Sequence, residues 1–171
     1  MMARAHPKLA LRPFLMSDAP LLAEIFRASI EELTEDDYNP AQQEAWASAA
    51  DDEAAFAERL DAQLTLVATL AGSPVGFAAL EGPHNIDMLY VHPAAAGQGV
   101  ASMLYEALEK LAASRGASYL TVEASDTARE FFEHRGFSAQ QRNTISMGNE
   151  WLSNTTMKKT LAGKDGRERK Q

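Results

Sequence analysis

Val91-His92-Pro93-Ala94-Ala95-Ala96-Gly97-Gln98-Gly99-Val100-Ala101-Ser102-Met103-Leu104 is the stretch that decides the reading of this chain. A mostly apolar strand, Ile86 to Val91, runs into Pro93. Gly97-Gln98-Gly99 follows, and then a helix-patterned run from Val100 to Ala113. A glycine turn between a strand and a helix N-terminus makes an anion cradle. The free N–H groups of the first helical turn converge there, and the helix dipole adds about half a positive charge. Glycine lets a phosphate come close to the backbone. The stretch therefore predicts a phosphorylated ligand.

Two familiar phosphate motifs fit poorly. A P-loop ends in Gly-Lys-Ser/Thr, whereas Gly99 is followed by Val100 and Ala101, which argues against a nucleotide triphosphatase. A dinucleotide fold needs a third glycine where Ser102 stands. The stretch instead resembles motif A of the GCN5-related N-acetyltransferases, which reads Val-x-Pro, then Gln/Arg-x-x-Gly-x-Gly/Ala, then an amphipathic helix. Val91, Pro93, Gly99 and Ala101 match. Ala96 stands where the family has Gln or Arg, which removes one side-chain contact to a pyrophosphate.

A second match lies downstream. Ser125-Asp126-Thr127-Ala128-Arg129-Glu130-Phe131-Phe132-Glu133-His134-Arg135-Gly136-Phe137 resembles the family's Asn-x-x-Ala-x-x-x-Tyr-x-x-x-Gly-Phe. Ala128, Gly136 and Phe137 match, Ser125 holds the Asn position and Phe132 the Tyr position. Two such motifs in the right order are far more specific than either alone. The resemblance runs roughly from residue 8 to residue 161.

Composition sets outer bounds. With 171 residues the chain has the size of one domain, and 46% hydrophobic and 23% charged residues suit a globular protein. No cysteine is present, which excludes disulfides, thiolate metal sites and a cysteine nucleophile. The net charge of -8 argues against a nucleic-acid partner. No apolar run nears the roughly 20 residues of a membrane helix, and Met1 to Pro7 lacks the apolar core of a signal peptide. A cytoplasmic location is the expectation. Residues 1–161 read as a single domain, and the basic, polar residues 162–171 as a disordered tail.

The pattern along the chain predicts strand, helices, three strands, helix, strand, helix and two strands. Ser17-Asp18 reads as an N-cap for a helix with Leu21, Leu22, Ile25, Phe26 and Ile30 on one stripe. Ser125 or Asp126 reads as the cap of a helix that ends at Gly136. The resemblance implies an α/β (α+β) fold. Its mixed, mostly antiparallel sheet has about seven strands, a V-shaped splay between two central ones, and about four flanking helices. An exposed final strand could pair between subunits in a homodimer.

The resemblance also implies the chemistry, acetyl transfer from acetyl-CoA to an amine without a metal. The amides of Leu89 and Val91, with Tyr90 between them, would meet the pantetheine arm and polarise the carbonyl. Gly97, Gln98, Gly99, Val100 and Ala101, next to Ala96, would wrap the pyrophosphate. Ser125 could hydrogen-bond the pantetheine, Ala128 and Phe132 could pack near it, and Arg129 could reach a phosphate. The base that takes the amine proton is open between Glu123 and Asp87, with Glu81 and His84 as further candidates. The family's tyrosine acid is Phe132 here, which has no proton to give; Tyr90, water or no group at all could take its place. Two other readings stay open: a CoA-binding module without catalysis, and a different anion-binding α/β protein. The acceptor side would be shaped by residues 29–46 and 143–154. There Glu31, Glu32, Glu35, Asp36 and Asp37 form an acidic rim, and Tyr38 and Trp46 could line the pocket or pin the loop.

Overall fold

The structure is a computed structural model that describes residues 8–161. The basic stretch 162–171 lies outside the described residues, so the expectation of a disordered tail is not addressed by it. The elements in chain order are β1 (Leu9–Pro13), α1 (Ala19–Leu33), α2 (Pro40–Ala47), α3 (Glu53–Asp61), β2 (Leu64–Leu70), β3 (Ser73–Glu81), β4 (Asn85–Val91), α4 (Val100–Ser114), β5 (Tyr119–Ser125), α5 (Arg129–Glu133), β6 (Ser138–Met147) and β7 (Glu150–Thr160). The seven strands form one sheet in the order β1-β2-β3-β4-β5-β7-β6. Every neighbouring pair is antiparallel except β4 with β5. The last strand is therefore not an exposed edge. β7 is paired on both sides, and the edges are β1 and β6.

Each face of the sheet carries its own core, because side chains alternate across a strand. Leu66, Ala78, Leu80, Leu120 and Val122 pack under Leu104 and Leu108 of α4. Val67, Phe77, Ala79 and Met88 pack under Leu22, Phe26 and Ile30 of α1 and Phe56 and Leu60 of α3. The stripe on α1 is narrower than the sequence suggested, since Leu21 is 48% exposed. Gly76 lets α4 lie close to the sheet. A Cβ there would stand 3.0 Å from both the Tyr90 carbonyl and Val100 Cγ1.

Two helix starts differ from expectation. Asp18 occupies the N-cap of α1 as expected, but its side chain makes no cap bond. Its carboxylate turns back, accepts from the Leu15 amide at 2.8 Å and forms a bidentate pair with the Arg12 guanidinium, each bond 2.8 Å. That hydrogen-bonded pair holds the Asp18 carboxyl below its ordinary pKa, against the opposing effect of burial. The helix expected to run to Gly136 is the short α5, and its N-cap Ala128 contributes no side-chain bond. Ser125 instead closes the turn before it, where its Oγ accepts from the Ala128 amide at 3.1 Å. No helix among the described residues is long and apolar enough to cross a membrane.

Candidate active site

The splay starts at one residue. β4 and β5 pair only at Asn85–Thr121 and Ile86–Val122. Against β3, Met88 faces Ala79 and Ile86 faces Leu80, so Asp87 is the extra residue of a bulge. The bulge reverses the alternation. Ile86 joins the α4 core, while Met88, two residues on, joins the α1 core. Beyond it, the His92 amide donates to the Val75 carbonyl at 2.8 Å, on the β3 side. By alternation in an antiparallel pair, the amides of Val91 and Leu89 point the other way, into the gap where β5 has left. A cavity of about 840 Å³ fills this gap, lined on one wall by Leu89 and Tyr90 and on the other by Glu123, Ala124 and Ser125.

At one end of the gap lies the glycine turn. Pro93–Ala95 forms a single 3-10 turn, capped by His92 Nδ1, which accepts from the Ala94 amide at 3.0 Å. Ala96 is extended and exposed. Gly97 and Gly99 then take φ of 78° and 84°, the left-handed region that other residues enter only at a cost. A Cβ on either would meet nothing within 4 Å, so the space before them is open. Gly99 is the N-cap of α4 and supplies no side-chain acceptor. The first-turn amides of α4, Val100, Ala101 and Ser102, thus have no intrahelical partner, and the space before Gly97 and Gly99 beside them is open. Gln98 is exposed, and its side chain folds back to donate to the Ala94 carbonyl at 3.3 Å. These features fit a pyrophosphate.

The sequence reading missed a cation beside this cradle. Arg135 donates to Ser102 Oγ in the first turn of α4 and to the Phe131 carbonyl. Its guanidinium lies 3.6 Å from the centroid of the Phe131 ring. Arg129 turns elsewhere, with Nε 3.3 Å from Glu133 Oε2. Phe132 is 2% exposed and packs edge-on to Phe131 and Phe137, yet it reaches the cavity wall beside Ala128.

The second wall is tied to the helical layer by Tyr38. Its hydroxyl donates to the Ser153 carbonyl at 2.7 Å and accepts from the Asp126 amide at 2.9 Å. Gln42 of α2 reaches the Trp151 carbonyl at 2.8 Å. Arg142 of β6 forms a bidentate pair with Asp126. Of the acidic rim, Asp37 is occupied locally, accepting from Thr127 Oγ1 at 2.7 Å.

The two candidate bases sit in different settings. Asp87 accepts both bonds of the Arg59 guanidinium at 3.0 Å and a third from Gln63 at 2.9 Å. Its lone pairs are largely occupied. Glu123 is exposed to the cavity, and its Oε2 accepts from two neutral donors, Thr156 Oγ1 at 2.6 Å and Asn143 Nδ2 at 3.0 Å. Asn143 and Thr156 were not singled out from sequence. They reach Glu123 only through the registers of β5 on β7 and β7 on β6. Tyr90 points toward the α1 layer, with its ring 4.7 Å from that of Phe26, and burial pushes its phenol up to about 12. It is a neutral hydroxyl at physiological pH. His84 is stacked on Tyr119 at 4.0 Å, and Glu81 accepts from Asn85, both at the closed end of the gap. Among the described residues no group of three or more His, Asp or Glu is placed to hold a metal.

A sheet that splays at a bulge, with a glycine-capped helix at the gap, defines a class, and comparison with known proteins agrees. The acetyltransferase (GNAT) domain family matches residues 34–161. The chain belongs to the GCN5-related N-acetyltransferases. It is 34% identical over 150 residues, 88% of this chain and 95% of the relative, to the uncharacterised N-acetyltransferase YafP of Escherichia coli. A GCN5-related N-acetyltransferase from Rhodopseudomonas palustris is 63% identical, with a TM-score of 0.88 over 94% of this chain and 99% of its own. The fold is shared with PaiA N-acetyltransferase from Thermoplasma acidophilum, solved with coenzyme A. That protein is 17% identical, with a TM-score of 0.74 over 90% of this chain and 99% of its own. It is shared too with YncA from Salmonella typhimurium, solved with its cofactor acetyl-CoA. Here the identity is 20% and the TM-score 0.61, over 90% of this chain and 94% of that one.

Proposed function

We propose that this chain binds acetyl-CoA across the gap between β4 and β5 and transfers the acetyl group directly to an amine in a ternary complex. The observation that carries this is the pair of facing walls. Leu89 and Tyr90 line one side, on a strand whose Leu89 and Val91 amides have no partner in β5, and the Glu123 carboxylate stands on the other. The coenzyme supplies an activated thioester. Gly97, Gln98, Gly99, Val100 and Ala101 would hold its pyrophosphate by backbone, so the side chain missing at Ala96 is not essential. Arg129 is held by Glu133, which leaves Arg135 as the cation nearer the cradle. Ser125, Ala128 and Phe132 border the path of the pantetheine arm.

The amine nitrogen attacks the thioester carbon, the carbon–sulfur bond breaks, and the amine proton must go somewhere. An amide N–H aimed at the carbonyl oxygen stabilises the charge that develops there. Glu123 takes the proton, because Asp87 is engaged by Arg59 and Gln63. A thiol with a pKa of about 8.5 leaves as thiolate without a dedicated acid, so phenylalanine at 132 is no obstacle. One nitrogen proton goes to Glu123 and the second leaves after attack with the departing thiolate; Tyr90, raised to about 12, is a weaker acid than the thiol and is not its proton donor. No cysteine can carry the acetyl group as an enzyme thioester, which favours direct transfer. Residues 1–161 act as one catalytic domain in the cytoplasm.

The test is release of free CoA thiol from acetyl-CoA, followed with and without a panel of primary amines. Amine-dependent release with intersecting initial-velocity lines is expected. Parallel lines would contradict direct transfer. The second reading, a CoA-binding module without catalysis, is favoured by the buried, hydroxyl-free Phe132. It predicts binding with no turnover for any amine.

A further inference from the structure

The wall of the cavity beyond the thioester position carries more information than the presence of an amine site. Three rings follow one another edge to face along it. Tyr38 and Trp46 have centroids 5.4 Å apart with planes at 70°, and Trp46 and Tyr90 are 6.4 Å apart at 66°. Apolar side chains of β6 and β7, Ile145, Met147 and Leu152, line the same cavity. The charges are as specific. Four charged residues line it: Arg59, Asp87, Glu123 and Arg142. Arg59 is neutralised by Asp87 in a bidentate pair, and Arg142 by Asp126. Glu123 alone is left with only neutral partners, Thr156 and Asn143. The cavity therefore presents one uncompensated negative charge, the three linked rings, and a β6–β7 wall where Ile145, Met147 and Leu152 alternate with neutral polar side chains such as Thr144 and Asn154.

Resting on the N-acetyltransferase reading, we infer that the acceptor is a primary amine with a single positive charge and an aromatic or apolar body. The ammonium sits at Glu123 before losing its proton there, and the body lies against Trp46 and Tyr90. A carboxylate next to the amine, as in a free amino acid, would face Glu123 with like charge. A second ammonium would find no free anion in the cavity, only rings, aliphatic side chains and neutral polar groups, and would not recover the cost of leaving water. The acidic rim outside attracts cations in general and draws the amine inward; the cavity then selects among them.

A matched set of acceptors tests this with the unaltered protein: phenethylamine, free phenylalanine, which adds only a carboxylate, and diaminobutane, which replaces the ring by a second ammonium. Thiol release should give phenethylamine a kcat/KM at least about tenfold above phenylalanine, from like-charge placement, and about three- to tenfold above diaminobutane, from the lost aromatic contact. Equal or better turnover of phenylalanine or diaminobutane overturns the inference and leaves the N-acetyltransferase reading standing. If no amine is acetylated at all, that reading falls and the inference with it. Trp46→Ala should erase the preference over diaminobutane, which depends on the ring, while keeping the preference over phenylalanine and the acetyl-CoA affinity, and Trp46→Phe should keep both preferences. An unchanged preference over diaminobutane in Trp46→Ala, with the parent's melting temperature, would also overturn the assignment of the aromatic wall.

Discussion

Ile86 lies opposite Val122, and no residue of β4 beyond Ile86 pairs with β5. The bulge at Asp87 sits directly after this last pair and turns the following backbone, so that Leu89 and Val91 present their amides to the gap rather than to a strand. One irregular residue thus coincides with the end of a β-ladder, beyond which the β4 amides on that side have no strand partner.

Gly99 should matter for binding more than for folding. Its φ of 84° makes any side chain strained, and a Cβ would meet nothing within 4 Å in the free protein. Gly99→Val is expected to cost about 1–2 kcal/mol of stability from the left-handed backbone alone. Its acetyl-CoA affinity should fall by more than that strain explains, because the side chain fills the phosphate position. Urea unfolding and acetyl-CoA titration of the same variant separate the two. Parent-like affinity would mean that the cradle lies elsewhere.

Gly76 is the opposite case. The contacts awaiting a Cβ there, the Tyr90 carbonyl and Val100 Cγ1, are both at 3.0 Å, and one of them is backbone. Gly76→Val should force α4 away from β3 and destabilise the protein by about 1–3 kcal/mol, the usual range for overpacking. Because Val100 opens the helix whose amides are proposed to hold the pyrophosphate, acetyl-CoA affinity should fall in parallel. Thermal melts with and without acetyl-CoA check both.

Glu123→Gln keeps an oxygen for the Thr156 and Asn143 donors and removes the basic site. The expected result is a kcat lower by about 100-fold, within the usual range for losing a general base, with acetyl-CoA affinity unchanged. Asp87→Asn, in contrast, should act on stability through the Arg59 and Gln63 bonds more than on the proton transfer. Steady-state kinetics showing the larger kcat loss in Asp87→Asn would reverse the assignment of the base.

Burial of Tyr90 predicts an alkaline transition. Its phenol is raised from an ordinary 10.0 to about 12. Below pH 10 the folded and unfolded chains both hold the proton, and the group has no effect on stability. As pH rises through the interval up to about 12, the unfolded chain ionises first and stability is lost. Tyr105 shifts in the same direction, through burial and its bond to Glu109 at 2.6 Å. The urea midpoint should therefore fall across this range, and Tyr90→Phe should reduce the fall. An identical pH slope in Tyr90→Phe would contradict it.

The glycine turn was legible because its determinants are local. A strand, a proline, two glycines and an amphipathic helix occupy consecutive positions, and the left-handed φ of Gly97 and Gly99 follows from residue type. The order of strands and helices was legible for the same reason, from periodicity and turn residues. The surroundings of Glu123 were not. Asn143 and Thr156 are distant in sequence and meet it only once β7 inserts between β5 and β6. The same insertion removed the edge expected of the final strand. Nor did the sequence reveal the bulge at Asp87, since Asn85 to Val91 carries no glycine or proline to mark it. Asp18 has the right residue type and position for an N-cap, and only the return of Arg12 beside it drew the carboxylate away.

The most direct measurement is calorimetric titration of the chain with acetyl-CoA, with ATP and NAD as controls. Saturable binding of acetyl-CoA at micromolar affinity, and none of the controls, is the result expected from the splayed strands and the glycine turn. Absence of binding at millimolar acetyl-CoA, or equal binding of ATP, would contradict both the cradle and the acetyl transfer built on it.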